Sequence, residues 1–403
     1  MQTRSITVRL TAGLLGLGLV AAACGDDDDS AGDDTSGDSV EASGDSVEAS
    51  TDSDAPAESD APADEDVVDC AVDEVDGDLA IFNWSEYIDE EQLAAFGEQY
   101  DVGVTMDVYD SNEMMQPIIS AGNSGYSLIV PSDYMVAILI AGGDIQPLNK
   151  DAIPNLSNLS ADFEGLPYDP GGDYSVPYQW GTTGLAVDTE VVGTDFPRSW
   201  ALVFDAAVAD EYGGQISLLN DPREVLGAAL KYLGYSLNTT DEGQLDEAKQ
   251  VVADARGNLA AFNTDSADEL LTTGETAIAQ GYSGDMFTQF LETDDPARYV
   301  YFVPEEGGTR WIDNMAIPFD APSPCTAHTF INWLLDGEQG AELSNWNYYG
   351  TPNEAAKAGL DEELLAFLDD ESVITGGVDS LEEIQDTGDF EINYADAFIE
   401  AKG

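Results

Sequence analysis

The stretch Leu79-Ala80-Ile81-Phe82-Asn83-Trp84 decides the fold class. It is apolar at nearly every position, which predicts a strand buried on both faces. Asp89 then opens a helix, with Gln92 at the capping-box position and Leu93, Phe96 and Tyr100 as its apolar stripe. Val104 to Val108 reads as a second strand, and Ser111-Asn112-Glu113 opens a second helix. Ser127-Leu128-Ile129-Val130 is a third strand, ended by Pro131-Ser132-Asp133-Tyr134. Strands alternating with helices predict an α/β fold on a mostly parallel sheet. Ligands of such sheets bind beyond the carboxyl ends of the strands. Trp84, Tyr87 and Ser132 to Tyr134 fall in turns of that kind.

Further along, Tyr174 to Thr183 is aromatic and extended, a candidate hinge crossing. Ile216 to Leu219 is a strand running into Asp221-Pro222-Arg223-Glu224. There Asp221 fits an N-cap, Pro222 the first helical position and Glu224 a capping box, so both carboxylates have a structural reading. A short strand, Thr276 to Ala279, precedes Tyr282-Ser283-Gly284-Asp285. In Gly307-Gly308-Thr309-Arg310-Trp311-Ile312-Asp313, residues 311 and 313 are two apart and face the same way in a strand. An aromatic face beside a carboxylate suits a desolvated organic cation. A core tryptophan beside a solvated aspartate is the other reading of the same residues. Tyr348 to Asn353 and Ile384-Gln385-Asp386 close the polar and aromatic punctuation.

The 403 residues fit two domains, or one domain of two lobes. Twelve basic residues face 81 acidic ones, a formal charge of −69. Such a surface repels nucleic acid and anionic lipid and suits cationic ligands. Most of the excess reads as a hydrated acidic surface of the kind that tolerates salt. One histidine, His328, and three cysteines, Cys24, Cys70 and Cys325, leave no set of soft metal ligands and little for Ser-His or Cys-His catalysis. There is no phosphate loop, no Gly-x-Ser-x-Gly elbow and no EF-hand pattern, so no cofactor and no metal is expected. A carboxylate-dependent hydrolase remains an alternative of a different class, without a specific signal for it.

Residues 1–24 read as an export signal: Arg4 and Arg9, the apolar run Leu10 to Val20, then Ala21-Ala22-Ala23-Cys24. Small residues directly before a cysteine resemble a bacterial lipoprotein processing site, with Cys24 as the lipidated residue. Residues 25–69 hold no Lys or Arg and repeat Ser-Gly-Asp-Ser-Val-Glu-Ala at 36–42 and 43–49. This is the composition of a disordered acidic tether. If the chain is exported, Cys70 and Cys325 are the remaining pair and are expected to form a disulfide. A loop of roughly 250 residues closed this way contributes about 4–5 kcal/mol.

Asn83-Trp84-Ser85-Glu86-Tyr87, Tyr109-Asp110-Ser111-Asn112-Glu113-Met114, Val130 to Tyr134, Tyr174 to Tyr178, Asp221 to Glu224 and Trp311-Ile312-Asp313 occur in one order. Together, from about Leu79 to the C-terminus, they resemble the spermidine/putrescine-binding proteins of bacterial polyamine ABC importers. The resemblance implies a type II periplasmic-binding-protein fold, two α/β lobes joined by hinge strands with the ligand cleft between them. It puts 70–180 and about 314–350 in lobe 1, and 181–313 and about 351–403 in lobe 2. It also implies an extracytoplasmic solute-binding protein rather than an enzyme. Such a protein captures spermidine or putrescine for a membrane permease, as a lipid-anchored monomer on the periplasmic or extracellular face of the cell membrane. By motif, Trp84, Tyr87, Tyr134 and Trp311 would box the polyamine chain. Asp221, Glu224 and Asp313 would pair with its ammonium groups, and Ser85, Glu86, Ser132, Tyr349 and Gln385 would add polar contacts. Where spermidine-binding members often carry Trp, this chain has Tyr282, which keeps an aromatic wall and leaves the preferred chain length open. A quaternary amine or guanidino compound is the alternative ligand. A quaternary nitrogen has no hydrogen to donate to Asp221, Glu224 or Asp313, which argues for polyamines.

Overall fold

In the computed structural model the described residues are 67–368 and 370–403. The expected leader, the lipidation residue Cys24 and residues 25–66 of the expected tether lie outside them. Residues 67–69, expected to belong to the tether, are among the described residues. The carbonyls of Val68 and Cys70 both accept hydrogen bonds from Asn149 Nδ2, each at 3.1 Å. Cys70 is joined to Cys325 by a disulfide, with Cα atoms 5.4 Å apart.

Three strands, β1 (Leu79–Trp84), β2 (Val104–Tyr109) and β3 (Leu128–Ile129), run parallel, with β1 in the middle. The long β4 (Ser175–Asp188) follows. A second parallel set is β5 (Ile216–Leu218), β6 (Leu259–Phe262) and β7 (Ile278–Tyr282), with β5 in the middle. β8 (Tyr299–Phe302) pairs antiparallel with β4, and β9 (Arg310–Ala316) is the last strand. The order β2-β1-β3-β9-β4-β7-β5-β6 sets three parallel strands on each side of an antiparallel pair, β9 and β4.

β4 changes partners along its length. Residues 175–182 pair with β9 and residues 183–187 with β7. Its side chains follow: Val176 packs in a core with Phe96, Met115, Ile119, Ile129 and Phe330, whereas Leu185 and Val187 pack with Leu218, Val225, Leu226, Val252 and Phe398. Two cores make two lobes, and the stretch read as a hinge crossing is the strand they share. Residues 351–356 pack on the first lobe: Ser160 N–H donates to Pro352 O at 2.8 Å and Asn353 Nδ2 to Leu335 O at 2.8 Å.

Helix Glu90–Tyr100 starts at Asp89, whose carboxylate accepts from Glu91 N–H at 2.9 Å. The expected capping box is absent, because Gln92 is buried and its Nε2 donates to Gln339 O at 2.9 Å, tying this helix to helix Gly337–Asn347. Helix Pro222–Leu233 starts at Asp221, which accepts from the N–H groups of Arg223 and Glu224 at 2.9 and 3.0 Å. Glu224 makes no capping box either; its carboxylate turns toward the strand pair. The strand expected at Thr276–Ala279 lies slightly later and carries Tyr282 at its end.

Candidate functional site

The carboxyl ends of the parallel strands from both lobes open on one cleft. Twelve of the thirteen residues expected to contact ligand line it: Trp84, Ser85, Glu86, Tyr87, Ser132, Tyr134, Asp221, Glu224, Tyr282, Trp311, Asp313 and Tyr349. Gln385 does not. Its side chain is exposed, its backbone carbonyl accepts from Arg223 Nη1 and Nη2, and the neighbouring Ile384 lines the cleft instead.

Trp311 and Asp313 do face one cavity, as alternate residues of β9. Opposite Trp311 on β4 is Gly181, where a Cβ would stand 2.6 Å from the indole Cζ2. The glycine is what lets the indole lie flat across the strand pair. The other rings meet it edge to face: Tyr349 at 5.2 Å, Tyr282 at 5.8 Å and Tyr87 at 6.3 Å between centroids. Trp84 stands 6.2 Å from Tyr282 and is fixed by its Nε1–H, which donates to Val130 O at 3.0 Å. Tyr134 donates to Glu113 Oε1 at 2.8 Å, and the Arg223 guanidinium lies 5.2 Å over its ring.

The carboxylates are oriented by neutral donors. Asp313 Oδ1 accepts from the Ser132 hydroxyl at 2.6 Å, and Ser132 Oγ accepts in turn from Asn112 Nδ2 at 3.0 Å. Ser132 precedes helix Asp133–Gly142 and does not cap it with its side chain, because that hydroxyl is directed at Asp313. Glu224 Oε1 accepts from Thr183 Oγ1 at 3.0 Å and Oε2 from Thr309 Oγ1 at 2.8 Å. Asp285, partly buried across the cleft, accepts from the Tyr349 hydroxyl at 2.7 Å. Burial pushes the Asp313 carboxyl up to about 7 against the opposing pull of the Ser132 hydrogen bond. Burial likewise pushes Glu224 up to about 7 against the hydrogen bonds from Thr309 and Thr183. Asp221 sits well above the ordinary carboxylate range, through burial and then the nearby Glu113 and Glu224. Among the described residues, none of Asp133, Asp221, Glu224, Asp285 and Asp313 forms an ion pair with a Lys or Arg. The Trp311 indole N–H is buried without a partner, and the Tyr87 hydroxyl, buried beside Asp313, also pulls that carboxyl down against burial. Such a cleft binds cations whose apolar parts lie against rings.

His328 lies outside the cleft, in helix Pro324–Leu334. Its Nε2 accepts from the Asn149 N–H at 2.9 Å and its Nδ1 donates to Pro324 O at 2.7 Å, so both nitrogens are occupied. No cluster of three or more potential metal ligands occurs among the described residues.

Six lining residues were not expected: Asn112, Asp133, Thr264, Asp265, Asp285 and Ile384. Asn112, Asp133 and Asp285 each lie within a stretch read as a strand end or a helix start, and Ile384 lies in the punctuating stretch Ile384-Gln385-Asp386. Thr264 and Asp265 follow β6, a strand the sequence reading passed over, and the same strand-end rule would have found them.

Residues 91–365 match the family model of the bacterial extracellular solute-binding proteins. A putrescine/cadaverine-binding protein of Pseudomonas aeruginosa is 36% identical over 292 residues, covering 71% of this chain and 82% of its own. A spermidine/putrescine-binding periplasmic protein of Escherichia coli is 35% identical over 287 residues, covering 71% and 80%. Among solved structures, the TpPotD lipoprotein of Treponema pallidum superposes with a TM-score of 0.68 at 28% identity, covering 80% of this chain and 99% of that one.

Proposed function

The chain belongs to the bacterial extracellular solute-binding proteins, and from that premise we propose that it captures polyamines outside the cytoplasm and delivers them to the permease of an ABC transporter. The observation that carries this reading is the set of buried cleft carboxylates that form no ion pair with a Lys or Arg among the described residues. Asp313, Glu224 and Asp221 face an aromatic-walled space, and a buried carboxylate without a counter-charge is costly. A polyamine supplies what is missing. Its ammonium groups donate hydrogen bonds to the carboxylates, and the methylenes between them lie against Trp84, Tyr282 and Trp311. The aromatic faces contribute about 0.5–2 kcal/mol per desolvated cation.

In this reading Trp84, Tyr87, Tyr134, Tyr282 and Trp311 form the walls and Asp221, Glu224 and Asp313 the anchors. Ser85, Glu86, Ser132 and Tyr349 add polar contacts. Lobe 1 comprises residues 70–180 and about 314–350, and lobe 2 residues 181–313 and the later part of the chain. The contacts of 351–356 with the first lobe support a lobe boundary a few residues beyond 350. The lobes close on the ligand by bending about β4 and β9. In this reading the protein binds its ligand and does not turn it over. It acts as a monomer on the periplasmic or extracellular face, held by a lipid on Cys24. Among the described residues no helix is long and apolar enough to cross a membrane, and the Treponema relative is named a lipoprotein.

Calorimetry of the mature protein with spermidine, putrescine, spermine and choline tests the reading. Binding of the polyamines and not of choline is expected. Binding of choline alone would move the assignment to quaternary amines, and binding of none would overturn it.

A further inference from the structure

Glu224 is the third residue of its helix, and Asp221 is the N-cap. In isolation Asp-Pro-Arg-Glu closes a capping box, with the glutamate folded back onto the N-cap N–H. The structure holds the other rotamer. Both oxygens of Glu224 are taken by hydroxyls, one from Thr183 and one from Thr309. These threonines lie where the crossing strands meet. Thr183 is the residue at which β4 leaves β9 for β7, and Thr309 immediately precedes β9. Their backbones are joined, Thr183 N–H donating to Thr309 O at 3.0 Å. Thr309 is flanked by two hydrogen bonds to Glu382, Glu382 N–H to Gly308 O and Arg310 N–H to Glu382 O, each 3.0 Å. Both threonines are buried, at 1% and 4% exposure, so neither hydroxyl has water as a substitute partner.

We propose that Thr183 and Thr309 are positioning residues: a hydroxyl clamp on the crossing strands that holds the Glu224 carboxylate in the cleft, ready for a ligand ammonium group, instead of folded back on its own helix. The inference rests on the polyamine reading. Each threonine hydroxyl has one proton to give, and giving it to Glu224 favours the ionised acid over the neutral one. A clamp on the crossing strands also ties the position of this anchor to the hinge. Lobe opening moves Glu224 with the strands, and ligand binding resists that opening through the same two hydrogen bonds.

Thr183→Val, Thr309→Val and the double variant are titrated with spermidine by calorimetry, beside Thr183→Ser and Thr309→Ser and beside the same valines on a Glu224→Gln background. Each single valine is expected to weaken binding by about tenfold and the double by more, as for loss of a hydrogen bond to a charged group. The serines, which keep the hydroxyl, bind within about threefold of the natural protein. On the Glu224→Gln background the valines change affinity by less than about twofold, because their target charge is already gone. The acid limb of the affinity profile moves to higher pH in the valine variants. The other groups facing Glu224, namely Asp221, Arg223, Asp313, Tyr282 and Tyr301, are the same in every protein compared. A double valine variant that binds like the natural protein overturns the clamp, as do equal losses with and without Glu224. Failure of the natural protein to bind any polyamine overturns the functional reading and this one with it.

Discussion

Two sets of buried carboxylates divide the molecule. In the framework, Asp188 is fully buried and gripped from two sides by Arg298, Nε to Oδ1 at 2.7 Å and Nη2 to Oδ2 at 2.5 Å. Glu391, half-buried at the edge of this framework, receives Arg223 Nη1 at 2.6 and 2.7 Å, and that buried arginine is itself stacked 4.4 Å over Tyr394. In the cleft, Asp313 and Glu224 are equally inaccessible yet receive only hydroxyl hydrogens. The chain has 12 basic residues for 81 acidic ones, so where the cations stand is informative. Arginines complete the pairs that stay closed in the folded protein. The cleft receives donors that orient its acids without neutralising them. The same functional group therefore serves stability in one place and waits for an external cation in the other.

The sharpest way to break this contrast is to remove one cation and one anion separately. Arg298→Met leaves Asp188 charged and buried, and the expected cost is about 3–5 kcal/mol of stability in denaturant titration, with polyamine affinity unchanged. A loss below about 1 kcal/mol would mean that Asp188 is relieved some other way. Asp313→Asn should do the reverse. Spermidine affinity falls by at least about tenfold, because one partner of a buried charge pair is gone. The ligand-free protein becomes more stable near neutral pH, since an uncompensated buried charge has been removed. Unchanged affinity would dismiss Asp313 as an anchor, and a destabilised empty protein would place it with the framework. Of intermediate size, Tyr282→Trp is expected to alter the ratio of spermidine to putrescine affinity by less than about tenfold, through the aromatic face alone. An unaltered ratio would remove position 282 from the choice of ligand length.

Much of this was legible in the chain. Alternating strands and helices from Leu79 onward gave the α/β class, and the extended run Tyr174 to Thr183 marked the strand the lobes share. Trp311 and Asp313 could be put on one face because strand periodicity is strict. What stayed hidden were long-range choices between competing hydrogen bonds. Glu224 and Gln92 both sit at capping-box positions, and both abandon the box for partners far away in sequence. Ser132 likewise gives its hydroxyl to Asp313 rather than to its own helix. Local rules rank local partners only, and a buried side chain with a tertiary alternative escapes them. Gln385 shows the converse: motif order put it at the cleft, but the turn presents Ile384 there and leaves the glutamine in water.

Stability of the empty cleft and affinity of the cleft for its ligand respond to pH with opposite signs. In an unfolded chain aspartate and glutamate titrate near about 4, whereas Asp313 and Glu224 in the empty cleft titrate at about 7. Between those values the folded protein holds more protons, so the part of its stability that depends on these two groups is lost as pH rises from about 4 to about 7 and is level above. Ligand binding runs the other way. An ammonium group needs the carboxylates ionised, so affinity should climb through the same window, by no more than about tenfold per pH unit for each carboxyl, and flatten above about pH 7. Protons are released as ligand enters on the acid side. Calorimetry in buffers of different ionisation enthalpy counts them, and Asp313→Asn should release fewer than the natural protein. Affinity that stays flat from about pH 5.5 to 7.5 would mean that the cleft acids are already ionised before ligand arrives. In that case the two sets of buried carboxylates would differ in geometry alone.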